Sequence, residues 1–186
     1  ALETATDDKW PAVTAPVVGI LSADDPPTER QQSLNTQLDD GFETIKVKIG
    51  FDLVADAAVI QELADNAPPA VTFRVDANQG YSLTEARTFL RELSTSRVEH
   101  LEQPLPVSNL DAHATLTANS DIDIVLDEEV STAVDLQQVD QAAAADDVKF
   151  KLMKCGSLDT AVELLENAAD RGFGVVFGNG VQSEVG

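Results

Sequence analysis

Cysteine is nearly absent. Cys155 is the only one in 186 residues, so the chain can form no internal disulfide, and with only His100 and His113 beside it no Cys/His zinc site can be assembled. Cys155 reads as a small buried side chain. Positive charge is scarce as well: 12 Lys and Arg stand against 33 Asp and Glu, for a net charge of −21. Such a surface repels phosphate backbones and anionic bilayers, which excludes nucleic acid and membrane surfaces as partners. The acid is spread in pairs, at Asp7-Asp8, Asp24-Asp25, Asp39-Asp40 and Asp146-Asp147, and the expectation is a halophilic protein kept soluble at high salt, where screening weakens self-repulsion. No apolar run approaches the roughly 20 residues that span a bilayer. The segment ALETATDDKW has neither the basic start nor the apolar stretch of a signal peptide, so the cytoplasm is the expected location.

What is present is a repeat of two alternating patterns. Hydrophobic residues make up 43% of the chain, enough for a core. Short runs rich in Val, Ile and Phe recur at 15–23, 43–50, 70–78, 98–104, 121–129, 147–154 and 172–179 and read as strands. Between them lie helical patterns at 28–40, 52–65, 82–95, 108–119, 132–145 and 157–171; Ser82 and Ser157 are candidate caps, and Gly172 follows the last helix. Strict alternation implies an α/β fold with a parallel sheet and helical crossovers.

A doubly wound sheet and a (β/α)8 TIM-type barrel both satisfy that alternation. They differ in where ligand groups gather: at one switch point in the open sheet, at the C-terminal ends of many strands in the barrel. Here Lys48, Asp76, Glu102, Asp127 and Lys151 each close an apolar run, at spacings of 28, 26, 25 and 24 residues. One charged residue per strand-helix unit favours the barrel. A closed barrel takes ~250 residues. Seven strands are legible and an eighth βα unit is not, so an incomplete barrel is expected over 15–186, with 1–14 a linker or the remnant of another domain.

Asp76, Glu102 and Asp127 on three successive strands would stand side by side at one mouth. Three packed carboxylates repel, and a divalent cation resolves the repulsion. All-oxygen ligation with positions left for water and substrate suits Mg²⁺, or Mn²⁺, over Zn²⁺. Of six lysines, five lie in or beside two strands, at 46, 48, 149, 151 and 154. Lys46 and Lys48 share a strand face, so mutual repulsion is expected to lower at least one pKa toward the range of a general base. Lys151 enters four strands away, while Lys149 and Lys154 read equally well as surface charges. A cation between two opposed amines is what removal of a proton next to a carboxylate requires, because the resulting enediolate is dianionic and needs concentrated positive charge.

The series KVKIG, RVDANQGY, EQPL, LDEEV and KFKLMKCG resembles the enolase superfamily, in its mandelate racemase/muconate-lactonising-enzyme subgroup. The resemblance implies that Lys48 and Lys151 are the opposed acid/bases and Lys46 the neighbour that tunes Lys48. It further implies that Asp76, Glu102 and Asp127 hold Mg²⁺, and that an N-terminal capping domain, absent from this sequence, closes over the substrate. Arg74 and Asn78 share the face of Asp76, where Asn78 can orient a ligand carboxylate. Glu128 follows Asp127 directly and is expected to pair with a lysine; Glu129 returns to the inward side past the strand end. Racemase-type members of the subgroup use a His-Asp dyad in place of the sixth-strand Lys, and that branch is disfavoured because His100 and His113 belong to the wrong unit, although His100 shares the parity of Glu102. It also carries Gln182, in GNGVQSEVG, where Glu is common.

The expected reaction is therefore Mg²⁺-dependent abstraction of the α-proton of a small carboxylate, giving racemisation, epimerisation or cycloisomerisation, in a homo-oligomer. Three alternatives stay open: dehydration through the same intermediate, a Schiff-base aldolase using Lys151, and a non-catalytic metal-binding barrel.

Overall fold

A computed structural model describes residues 17–93 and 96–178. Seven strands alternate with seven helices: β1 (Gly19–Ser22), α1 (Pro27–Asp39), β2 (Thr44–Lys48), α2 (Leu53–Asn66), β3 (Thr72–Asp76), α3 (Leu83–Glu92), β4 (Val98–Glu102), α4 (Leu110–Thr117), β5 (Asp123–Leu126), α5 (Ala133–Ala142), β6 (Asp147–Lys151), α6 (Leu152–Cys155), α7 (Leu158–Asp170) and β7 (Gly174–Gly178). The sequence pattern finds every one of these except α6, a single turn at the point where the sixth apolar run was read as continuing to residue 154.

Local chemistry explains the helix starts. Ser82 with Glu85 and Thr132 with Asp135 form reciprocal capping boxes, and the Asp52 side chain accepts from the amides of Val54 and Ala55. Ser157 caps α7 through the amide of Thr160.

The sheet order is β1-β2-β3-β4-β5-β6-β7, with all pairings parallel. That order decides between the two candidate architectures. A doubly wound sheet reverses its strand order at a switch point, whereas here each crossover advances by one strand in the same sense, so all helices lie on one face and the sheet curls away from them. The result is a partial (β/α) barrel with a bore.

Strand residues alternate accordingly. Ile45, Val47, Phe73, Val75, Leu101, Ile124, Leu126, Val148 and Phe150, at most 2% exposed, face the helices and form the core. The opposite parity puts Lys46, Lys48, Arg74, Asp76, His100, Glu102, Lys149 and Lys151 on the bore side. Among the described residues no helix is long and apolar enough to cross a membrane.

Candidate active site

Register assembles the site. Lys48 lies opposite Asp76, and Asp76 opposite Glu102, so β2, β3 and β4 end level. The pairing Glu102↔Val125 then leaves Asp127 two residues beyond that level, and Val125↔Asp147 with Leu126↔Val148 carries on to set Asp127 opposite Lys149, with Lys151 one side-chain layer higher. This stagger is inherent to a tilted barrel sheet. It brings Lys149, and not only Lys151, to the carboxylates.

Asp76, Glu102 and Asp127 are 2%, 2% and 1% exposed. Three buried carboxylates need cations, and lysines supply them. Lys46 Nζ sits 2.6 Å from Asp76 Oδ2 and 2.9 Å from both oxygens of Glu102. Lys149 Nζ lies 2.7 Å from Glu102 Oε1 and 3.4 Å from Asp127 Oδ2. Lys151 Nζ is 2.5 Å from Asp127 Oδ2, and Lys154, turned back by α6, reaches Asp127 Oδ1 at 3.4 Å. Lys48 is exposed and makes no ion pair among the described residues.

These contacts fix the protonation tendencies. Burial works to lower the pKa of Lys46, but Glu102 and Asp76 outweigh it and raise the ammonium well above the usual lysine range. At Lys46 the shift is thus the reverse of that expected from repulsion by Lys48: its side chain leans onto carboxylates that the spacing of two lysines does not reveal. Burial, followed by Asp76, pushes Glu102 up against the pull of Lys46 and Lys149. Burial also opposes ionisation of Asp127, yet the bond from Lys151 and the charges of Lys149, Lys151 and Lys154 leave it below its ordinary value.

The donor set matches a hard divalent cation in kind: three carboxylates, all oxygen, at adjacent strand ends. Among the described residues no three acidic, histidine or cysteine side chains are arranged as a metal cage, because the ammonium groups of Lys46 and Lys149 lie between the carboxylates. The residues that would hold Mg²⁺ are Asp76, Glu102 and Asp127, whose charge and oxygen donors fit such an ion.

The supporting groups divide. Asn78 is exposed at φ 43°, and its backbone N–H donates to Asp76 Oδ1 at 3.0 Å, which orients the carboxylate. Arg74 pairs with Glu99 at 2.8 Å, deeper in the bore, where a bulge makes Glu99 an extra residue between the partners of Phe73 and Arg74. Glu128 forms no ion pair among the described residues, and its Oε2 is buried without a partner. Glu129 accepts from the Ser108 amide at 2.9 Å. His100 lies below Glu102 and is pushed down to about 4, first by burial and then by Arg74. Gln182 and residues 1–14 lie outside the described residues.

Two contributors were missed. Lys149 reads from its residue type as a surface charge, whereas its parity with Lys151 places it in the bore. Gln103, fully buried at φ 35°, accepts from the amides of Asp127 and Glu128 through Oε1 at 3.0 and 3.1 Å and donates to the Leu105 carbonyl, bridging the ends of β4 and β5.

Comparison with known proteins gives this geometry a family. The family model for enolase C-terminal domain-like proteins matches residues 29–186. The chain is 30% identical over 171 residues to the N-succinyl-L-Arg/Lys racemase of Bacillus cereus, covering 91% of this chain and 46% of that protein. It is 33% identical over 163 residues to the L-Ala-D/L-Glu epimerase of Bacillus subtilis, covering 86% and 44%. Among solved structures, the Bacillus cereus N-succinyl Arg/Lys racemase superposes with TM-score 0.85 at 29% identity over 91% of this chain and 46% of that one. A dipeptide epimerase from Cytophaga hutchinsonii, complexed with Mg and D-Ala-L-Val, does so with TM-score 0.81 at 26% identity over 89% and 45%. The chain spans about half the length of the curated relatives it matches.

Proposed function

The chain belongs to the enolase C-terminal domain-like family, and from that membership we propose that it carries the acid/base machinery for racemising or epimerising a carboxylate substrate by removal and return of its α-proton. One observation carries the reading. Lys48 and Lys151 close β2 and β6, four strands apart in the curl, and the three buried carboxylates close or follow the strands between them. An amine on either side of one carbon suits a 1,1-proton transfer: one takes the proton and the other, as ammonium, returns it from the opposite face. Mg²⁺ on Asp76, Glu102 and Asp127 would supply the positive charge that an enediolate needs. Lys46 compensates Asp76 and Glu102, and the Asn78 amide fixes the orientation of Asp76. The substrate class is an N-acylated amino acid, the chemistry common to the succinylated amino acids and dipeptides named for the relatives. A Schiff-base aldolase would leave the carboxylate trio without a task.

The test is α-proton exchange in D₂O, on N-succinyl amino acids and dipeptides of both configurations with Mg²⁺ present. Lys151→Ala should lose epimerisation and still exchange one configuration, and Lys48→Ala the other. Exchange of both configurations by both variants would show that neither lysine is an essential base.

A further inference from the structure

Two lysine ammonium groups span pairs of the candidate metal-binding carboxylates: Lys46 bridges Asp76 and Glu102, and Lys149, from β6, bridges Glu102 and Asp127. Lys149 is 8% exposed, and its Nζ contacts Glu102 Oε1 at 2.7 Å and Asp127 Oδ2 at 3.4 Å. Its stem runs along β7: a Cβ added to Gly178 would stand 2.5 Å from Lys149 Cε, so the absence of a side chain there leaves the space that the lysine fills. Lys46 divides its charge between Asp76 and Glu102, so Lys149 supplies the counter-charge that the Glu102–Asp127 side of the trio holds in the absence of metal.

We infer that Lys149 is a built-in competitor for the divalent cation, an internal ammonium that bridges Glu102 and Asp127 when no metal is bound and must withdraw from them before they can close on one. The inference rests on the metal reading proposed above and adds a specific role to it. A divalent ion held by Glu102 and Asp127 would compete with Lys149 for the negative charge of the same two carboxylates. The displaced amine stays in a confined bore beside the ion, and like charges a few ångströms apart in a site of low dielectric oppose each other strongly. The competition sets metal affinity lower than three carboxylates would give, and it keeps the carboxylates compensated in the metal-free protein.

The experiment is Mn²⁺ binding by the intact protein, followed by titration calorimetry and by the electron paramagnetic resonance signal of free Mn²⁺, with no substrate present. Lys149→Met keeps the stem and removes the charge; it should bind Mn²⁺ about tenfold tighter or more. Its melting temperature without metal should fall, since Glu102 and Asp127 lose a counter-charge, and saturating Mn²⁺ should raise it by more than in the parent. Lys149→Gln gives the same comparison with a polar side chain if the methionine variant does not fold without metal. Lys154→Gln is the control: that ammonium touches Asp127 from the mouth, and its loss should change affinity by less than about threefold. If the parent binds Mn²⁺ and the folded Lys149 variants bind it no tighter, competition is refuted while the metal site stands. If neither parent nor variants bind Mn²⁺, the competition falls together with the metal reading.

Discussion

The most informative single substitution lies beneath the site. Asp56, in the first turn of α2 and 2% exposed, accepts four hydrogen bonds on one oxygen: from the amides of Gly50, Phe51 and Asp52 at 2.9, 3.0 and 3.1 Å and from the Tyr81 hydroxyl at 2.7 Å. This clasp folds the loop after Lys48 onto the loop after Asp76, where a Cβ on Gly80 would stand only 2.4 Å from the Gly50 carbonyl oxygen. Asp56→Ala leaves the Tyr81 hydroxyl, in a residue 3% exposed, without a partner, at a cost of about 1–3 kcal/mol. The three amides belong to residues that are half-buried or exposed and can turn to water, so each contributes only about 0.5–1 kcal/mol. The sum is about 2.5–6 kcal/mol, or on the order of 10 °C in melting temperature for a chain of this size. Urea unfolding of Asp56→Ala, Tyr81→Phe and the double variant tests it, because the hydroxyl is orphaned only when Asp56 alone is lost. A coupling of about 1.5–3 kcal/mol should remain between the two sites. A loss below about 1 kcal/mol for Asp56→Ala, or strict additivity, would refute the clasp.

Gln103→Leu removes the acceptor shared by the Asp127 and Glu128 amides and the donor to Leu105, and should cost about 2–4 kcal/mol in urea unfolding; a loss under about 1 kcal/mol would show that the amide does not hold the end of β5. His113 is fully buried, its Nδ1 donates to the Asn109 carbonyl at 3.2 Å, its Nε2 has no partner among the described residues, and burial lowers its pKa against that bond. The unfolded chain takes up the proton near pH 6.5 and the folded one does not, so this residue's contribution is complete above about pH 6.5 and is lost as the pH falls below it. The stability difference between the parent and His113→Leu should therefore shift against the parent between pH 7.5 and pH 5; a difference independent of pH would place His113 in contact with water.

The barrel could be read from the sequence because two of its determinants are periodic. The outward apolar parity of Ile45, Val47, Phe73 and Val75 marks strands, and the recurrence of charge at their ends marks a common mouth. What a period cannot state is stagger. Glu102 faces Val125 while Asp127 continues two residues further, and that offset decides which lysine of β6 meets which carboxylate. Spacing points to Lys151 and is silent on Lys149 because it fixes the face of a side chain and not its height relative to the neighbouring strand. Gln103 escaped for a different reason. As the residue after an inward Glu102 it should point outward, and a backbone in the left-handed region, uncommon for a residue other than glycine, aims it at the next strand. Positive φ at Asn78, Gln79, Gln103 and Ser108 gathers such strain in the loops at this mouth, where hydrogen bonds such as Gln79 N–H to the Gln103 carbonyl hold it.

The electrostatics of the whole chain explain why so few cations are placed as they are. A net charge of −21 repels anions at long range, the carboxylate substrate proposed above included. Five of the six lysines lie in or just beyond β2 and β6, and four of these touch the three carboxylates of the trio, so the positive charge is concentrated on the trio while the exterior stays acidic. The two fields respond differently to salt. The screening length is about 8 Å at physiological ionic strength and about 3 Å at 1 M, which suppresses repulsion from dispersed surface acids but hardly reaches pairs in contact at 2.5–2.9 Å inside a bore. High salt would thus weaken long-range repulsion of anions and leave intact the short contacts between the lysines and the carboxylate trio, so an acidic coat and a lysine-rich mouth are compatible parts of one arrangement.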